Sequence, residues 1–339
     1  MSGEILGIVL RRILIAIPLM LLVSLLVFVV LRLIPADPIS MSVPPNATAE
    51  EIEALRREMG LHLPIVRQYF IWLGHVLGGD LGRSIAFGQP VTTLIAQSLP
   101  ATIELAVFGA LFATIIGIGG GLLMFALRGR ASGQVADLGS TVMMSIPEFL
   151  WALFLILLFG VSLNLLPFAG RLPPDVTVPR ATGFLLLDCL VSGNIKAFFQ
   201  AIEFMLLPSL ALALGTAPLI MRVLRSSLMD VIGEDYITMA RLRGVPERRV
   251  IARHGLRNAL LPTLSLMGVQ FGFLFGGTLL VEVIYSYPGL GNMMVEAVRN
   301  TDLPIIQGAA LVFALAVLVI NLVVDVLYIV VNPVLRRAR

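Results

Sequence analysis

Long apolar runs separated by polar or basic connections organise this chain from end to end. The first run spans Ile13 to Leu31, and others fall at 100–127, 135–160, 204–221, 259–284 and 304–331. Each approaches or exceeds the roughly 20 residues that carry a helix across a bilayer. Hydrocarbon offers the backbone no hydrogen-bonding partner but itself, so each run is expected to be a helix. The runs are too long and too evenly apolar for barrel strands. The pattern therefore predicts an all-α, polytopic membrane protein with about six transmembrane helices in a single membrane domain over residues 1–339. The expected spans are 9–34, 99–127, 135–160, 204–224, 259–284 and 304–331. Arg11 and Arg12 ahead of the first run resemble the start of a signal peptide. That run exceeds a cleavable apolar region, however, and "LRLIPADP" offers no small-residue cleavage site, so a retained helix is expected.

Three connections are long enough to hold structure of their own. In the segment 35–98, Thr48 and Glu51 form a T-x-x-E capping box, and Ile52, Leu55 and Met59 recur at helical spacing before Gly60. The following "RQYFIWLGHVLGGDLGRSI" combines aromatic residues with paired glycines, as an interfacial segment returning toward the membrane would. The segment 161–203 is proline-rich through Pro179, which predicts an irregular loop followed by a short helix near Ile195 to Phe204. The third, 230–258, favours helix up to Arg243 and is then interrupted by Gly244 and Pro246. Glycine suits the left-handed residue just past a helix end, and proline suits the first turn of the next helix. Two short helices meeting at a bend are expected, the second carrying Arg249, Arg253 and Arg257 on one face.

Composition agrees with a membrane class: 58% of the 339 residues are hydrophobic and 13% charged, with a mean hydropathy of +0.96. The net charge of +3 does not point to nucleic acid, because the arginines flank apolar runs. Arg11, Arg12, Arg128, Arg130, the cluster from Arg222 to Arg257, and Arg336, Arg337 and Arg339 all fall on one side if the amino terminus is inside. Both termini are accordingly expected in the cytoplasm. The single cysteine, Cys189, permits no intrachain disulfide.

Catalytic chemistry finds no support in the sequence. A phosphate-binding P-loop needs a lysine after glycine, and the only lysine, Lys196, lies between Ile195 and Ala197. The histidines read "HLPI", "HVLG" and "HGLR", which excludes an H-E-x-x-H zinc motif, and no G-x-S-x-G elbow occurs. No catalytic residue, metal site or bound cofactor is expected. Three acids stand out inside the apolar runs: Glu148, Glu282 and Asp325. A carboxylate near mid-bilayer costs about 2.5–3.5 kcal/mol on insertion scales, so each should face protein or a wet cavity. They are candidates for lining a solute path; buried pairing or a protonated acid is the structural alternative. The glycines of "GIGGG" at 117–121 and "FGFLFGG" at 271–277 suit close helix packing.

By composition alone, 230–258 could be a basic loop meeting lipid phosphates. Several stretches give it a narrower reading: "GDLGRSI" at 79–85, "LPATIELA" at 99–106, "MRVLRSSLMDVIGEDYITMARLRG" at 221–244, "RHGLRNALLP" at 253–262, "VEVIYSYPGLG" at 281–291 and "VDVLYIVVNP" at 324–333. In this order they resemble the permease subunits of ABC importers for dipeptides, oligopeptides and nickel, in particular the subunit with the larger extracytoplasmic insertion after its first helix. Thr238 and Met239 stand where the general permease signature begins with glutamate and alanine, a departure usual in the peptide branch.

The resemblance implies a type I ABC importer permease fold. It implies a 230–258 segment that docks into an ATPase subunit, with Asp235, Tyr236, Ala240, Arg241, Gly244, Pro246, Arg249 and Arg253 as the coupling residues. Its expected partners are a homologous second permease, two ATPase subunits that hold ATP and magnesium, an extracytoplasmic substrate-binding protein and membrane lipid, in a bacterial or archaeal inner membrane. The expected activity is inward transport of dipeptides or oligopeptides, with nickel chelates or glutathione as alternatives. A secondary transporter driven by an ion gradient is the rival class; it would usually show an inverted repeat with broken helices, and none is visible.

Overall fold

The computed structural model describes residues 2–33 and 62–331, the side chains of 2–6, 8, 9, 325 and 327–331 excepted. The capping-box helix expected around Thr48 and the arginines Arg336, Arg337 and Arg339 lie outside the described residues. Eleven helices are named here in chain order: α1 Ser2–Leu33, α2 Ile65–Leu77, α3 Val91–Ala126, α4 Ala131–Ser145, α5 Glu148–Leu155, α6 Leu185–Val191, α7 Ile195–Ile232, α8 Asp235–Leu242, α9 Leu256–Ile284, α10 Leu290–Arg299 and α11 Leu303–Val331. A π-helical segment, Ile156–Ser162, extends α5, and a second, Val250–Gly255, leads into α9. Among the described residues five stretches are long and apolar enough to cross a membrane: Leu10–Leu33, Val91–Ala126, Ile195–Ile232, Glu247–Ile284 and Leu303–Val324. The sixth expected span is broken, because α4 and α5 with its extension meet at an angle of 100°.

Local chemistry accounts for the interruption of the helix, though not for its angle. Pro147 has no N–H to donate and fixes its own φ at −61°, while Ile146 before it is extended at φ −95°, ψ 117°. A residue preceding proline is pushed out of the helical region by the ring, so the first helix ends and a second begins beyond it. The short helix expected near Ile195–Phe204 is instead the start of α7. Asn194 caps it by accepting the Ala197 N–H at 3.0 Å, and α7 then continues through Pro208 and Pro218 as one 38-residue helix.

The most extensive helix contact joins α3 to α7, and small residues set how close they come. A methyl placed on Gly117 would lie 2.7 Å from Ile220 Cβ, and one on Gly121 would lie 2.9 Å from the Met221 carbonyl oxygen. With no hydrophobic drive between helices in lipid, such notches maximise van der Waals contact. Leu105, Met205, Leu212, Leu274 and Phe275 fill the centre between α3, α7 and α9. Helix α1 lies at the edge and packs on α11 and α2. Its Ser24 hydroxyl shares a 2.9 Å hydrogen bond with the Tyr69 hydroxyl of α2, and the Phe28 ring contacts Tyr69 and Trp72.

At the end of the bundle away from α8, buried acids tie the connections down. Asp302, fully enclosed, accepts the Ser84 hydroxyl at 2.6 Å and the Ala86 N–H at 3.0 Å, which fixes the "GDLGRSI" turn against the start of α11. Glu104 pairs with Arg171 and accepts the Leu186 N–H at 3.0 Å. Arg171 also donates to the Tyr287 hydroxyl at 3.2 Å. The loop between α5 and α6 is thereby fastened to α3 and to the turn after α9. Asp188 closes the same loop on itself by accepting both the N–H and the hydroxyl of Thr182 and the Gly183 N–H.

Candidate functional site

The 230–258 segment is an elbow built from local chemistry. Helix α8 carries Asp235 in its first turn and Arg241 in its last, the charge order that the helix dipole favours. Gly244 ends the helix at φ +73°, where a side chain would be strained. Its N–H donates to the Arg241 carbonyl at 2.9 Å and the Val245 N–H reaches the Ala240 carbonyl at 3.2 Å, closing a Schellman-type turn. Val245 then packs with buried Ile237, Ala240 and Val250. Pro246 starts the next turn and accepts the Arg249 N–H at 2.8 Å.

Two side-chain staples hold the elbow in shape. Arg241 grips Glu247 with both branches of its guanidinium, Nε to Oε2 at 3.0 Å and Nη2 to Oε1 at 2.8 Å, bridging the turn. That hydrogen bonding raises the Arg241 guanidinium above its ordinary value. Asn258 Nδ2 donates to the Tyr236 hydroxyl at 2.7 Å, tying α8 to the start of α9. Beneath them, Ile251, Leu256 and Ala259 share a cluster with Leu224 and Leu228 of α7 and Phe125 of α3. The segment after the bend is thus packed against the spanning helices α3 and α7.

The outer face of the elbow is exposed apolar and cationic surface. Tyr236, Met239 and Leu242, spaced one turn apart on α8, are 41%, 51% and 77% exposed. Arg249, Arg253 and Arg257 are also exposed, although the segment Val250–Gly255 that carries Arg253 is π-helical rather than the α-helix expected. The expected coupling residues lie together here, with Ala240 turned inward and Asp235, Tyr236, Arg241, Gly244, Pro246, Arg249 and Arg253 at the surface. Sequence reasoning missed Glu247 and Asn258, the two partners of the staples; an acid six residues after Arg241 across a Gly-x-Pro turn is the signal that points to the first.

The intramembrane acids have different surroundings. Glu148 opens α5 at the break and is half-buried. Among the described residues it has no hydrogen bond or ion pair. Its side chain lies over Gly215 of α7 and Gly277 of α9: a methyl on Gly277 would meet its carboxylate, and one on Gly215 would lie 3.1 Å from its Cβ.

Glu282 is fully enclosed. It accepts the Thr102 hydroxyl at 2.6 Å and the Asn292 N–H at 3.0 Å. Thr102 in turn accepts the Leu290 N–H at 2.8 Å. Its carboxylate thus sits at the amino end of α10, where the dipole favours negative charge, and it holds the "YSYPGLG" turn in place. Asp325 lies on α11, and its side chain is outside the described residues. Glu104 went unremarked in the sequence, although it interrupts an apolar run as plainly as Glu148 does.

Long helices meeting at glycine notches, a carboxylate at the break of one span and a stapled elbow at one end define a polytopic, helical membrane protein. The chain belongs to the family of inner-membrane components of binding-protein-dependent transport systems. Residues 113–337 match the family "Binding-protein-dependent transport system inner membrane component", and residues 5–106 match its amino-terminal membrane component. The chain is 39% identical over 337 residues to the dipeptide transport system permease protein DppB of Escherichia coli (strain K12), covering 98% of this chain and 99% of that one. It is 38% identical to the di/tripeptide transport system permease protein DppB of Pseudomonas aeruginosa (strain UCBPP-PA14), covering 97% and 98%. It is 35% identical to the glutathione transport system permease protein GsiC of Shigella flexneri serotype 5b (strain 8401), with the same coverage.

In fold the chain is similar to a chain of the methionine ABC transporter MetNI in an inward-facing conformation. The TM-score is 0.54 at 16% identity, with 70% of this chain and 96% of that one covered. The protein is a multi-pass inner-membrane permease of the ABC importer family, the kind of protein its quoted stretches resemble.

Proposed function

We propose that this permease moves dipeptides or short oligopeptides into the cytoplasm, driven by ATP hydrolysis on separate ATPase subunits. The observation that carries the coupling mechanism is the elbow, cross-linked within itself and exposing apolar surface on its outer face. A docking helix must be stiff to deliver force, and the Arg241–Glu247 and Tyr236–Asn258 staples supply stiffness. It must also offer surface worth burying, and Tyr236, Met239 and Leu242 supply that.

In this reading the basic end of the bundle is cytoplasmic. Asp235, Tyr236, Arg241, Gly244, Pro246, Arg249 and Arg253 meet an ATPase subunit that holds ATP and magnesium. When two such subunits close, the elbows docked on them move, and the shared cluster of Leu228, Leu256 and Phe125 converts that movement into a rocking of α3, α7 and α9. A homologous second permease completes the path, and an extracytoplasmic binding protein delivers solute to the opposite end. Of the three acids marked in the sequence, Glu148 is assigned to the path. Glu282 is assigned to the scaffold, because its oxygens are already engaged.

Peptide as solute follows from the dipeptide and di/tripeptide permeases among the relatives. The glutathione permease at 35% identity supports a second reading, import of glutathione. Reconstitution of the complete transporter with its binding protein in proteoliposomes tests both. Uptake of labelled alanyl-alanine should require internal ATP, persist when ion gradients are collapsed, and be competed by dipeptides more strongly than by glutathione. Uptake that follows an ion gradient without ATP would overturn the reading.

A further inference from the structure

We propose that Glu148 is a specificity-determining residue of the solute path that receives the protonated amine of the passing solute. This deepens the peptide reading above and rests on it. The proposal starts from position. Glu148 stands at the 100° break between α4 and α5, alongside Gly215 near the midpoint of α7, and so lies deep between the two ends of the bundle. A carboxylate at that depth faces protein partners, a companion subunit or water. Among the described residues no side chain or backbone N–H donates to it, in contrast to Glu282, Glu104, Asp188 and Asp302, each of which is satisfied within the chain.

The surroundings are shaped for this side chain. Gly277 leaves room that a methyl would take from the carboxyl group, its Cδ being 2.7 Å from where that methyl would lie, and Gly215 leaves a matching notch on α7. Two helices thus give up side chains where the Glu148 carboxylate passes between them. Glu148 is in the first turn of α5. The result is a carboxyl group half-buried between glycines at the break, with no donor among the described residues. A primary ammonium is its natural counterpart: compact, with three donors and a charge of opposite sign. A peptide carries one at its amino end, and a charge-assisted hydrogen bond there favours free-amine peptides over amine-blocked ones.

The test uses the complete transporter in proteoliposomes with saturating binding protein, common to all variants. Glu148→Gln keeps the shape and removes the charge; it should lower the rate of alanyl-alanine uptake about tenfold, with Glu148→Asp recovering part of the loss. Glu148→Cys should react with a water-soluble thiol reagent, the native Cys189 being buried. Alanyl-alanine should protect it during turnover, and N-acetyl-alanyl-alanine should not. Wild-type uptake by Glu148→Gln, an unreactive thiol in the assembled complex, or equal protection by both peptides would overturn the proposal. So would loss of the second permease from purified Glu148→Gln complexes, which would make the carboxylate an interface contact. ATP-dependent uptake surviving in any of these cases leaves the transport reading intact and removes only the role given to Glu148.

Discussion

Gly244 allows the coupling mechanism to be separated from the stability of the fold. Its φ of +73° closes the turn after α8, and a side chain there is strained by about 1–2 kcal/mol for alanine, less for asparagine or aspartate, which tolerate the left-handed region. Beyond that backbone cost, a Cβ at this position meets nothing within 4 Å. The isolated chain should therefore fold and insert with alanine, asparagine or aspartate at 244. In the assembled transporter the same open space is expected to be occupied by an ATPase subunit. A carboxylate enclosed there without a partner costs about 3–5 kcal/mol, which at 1.4 kcal/mol per tenfold weakens docking by about a hundredfold or more.

The expected series is near-normal membrane levels for all three variants, with ATPase co-purification and ATP-driven uptake reduced least in Gly244→Ala, more in Gly244→Asn and most in Gly244→Asp. Asparagine and aspartate have nearly equal volume, so the difference between them isolates charge. Normal uptake by Gly244→Asp would refute the docking argument. Failure of Gly244→Ala to accumulate in the membrane would show that the turn serves folding rather than contact.

Other positions give independent checks. Glu282→Ala strands the buried Thr102 hydroxyl and the Asn292 N–H, a loss of about 1–3 kcal/mol for each unsatisfied group; the purified complex should melt at a lower temperature, with Glu282→Gln milder, and an unchanged melt would contradict the scaffold role. Burial of Asp188 works to raise its carboxyl, but hydrogen bonds from Thr182 and Gly183 outweigh it and hold the group below the ordinary carboxylate value. Its contribution to the loop 182–188 is then complete at neutral pH and is lost only as acid takes the pH down through that depressed value. Hydrogen exchange of residues 182–186 should therefore stay slow until the pH falls below the usual carboxylate range. Asp188→Asn should exchange faster already at neutral pH, and matching exchange in the two proteins would count against the account.

Much of the elbow was legible because its determinants are local. A left-handed glycine, a proline two residues later and an amphipathic octet specify two helices and a bend whatever surrounds them. The broken third span was half legible. Pro147 announces an interruption, but a proline inside a membrane helix is also tolerated without ending it, as Pro208 and Pro218 are in α7, and only the packing of α5 against α7 and α9 turns it into a 100° change of direction. The acids were the least legible. Glu148 and Glu282 look alike in a run of apolar residues, yet one has no protein donor among the described residues and the other is fully engaged.

The sequence by itself determined the class of fold, the places where helices begin and end near Gly and Pro, and the basic bend, because these depend on bond rotation, backbone hydrogen bonding and transfer of side chains out of water. Only the tertiary structure decided which carboxylate is satisfied. That depends on what other helices bring beside it, Thr102 and the start of α10 for Glu282 and two glycines for Glu148, and no spacing along the chain encodes such a meeting.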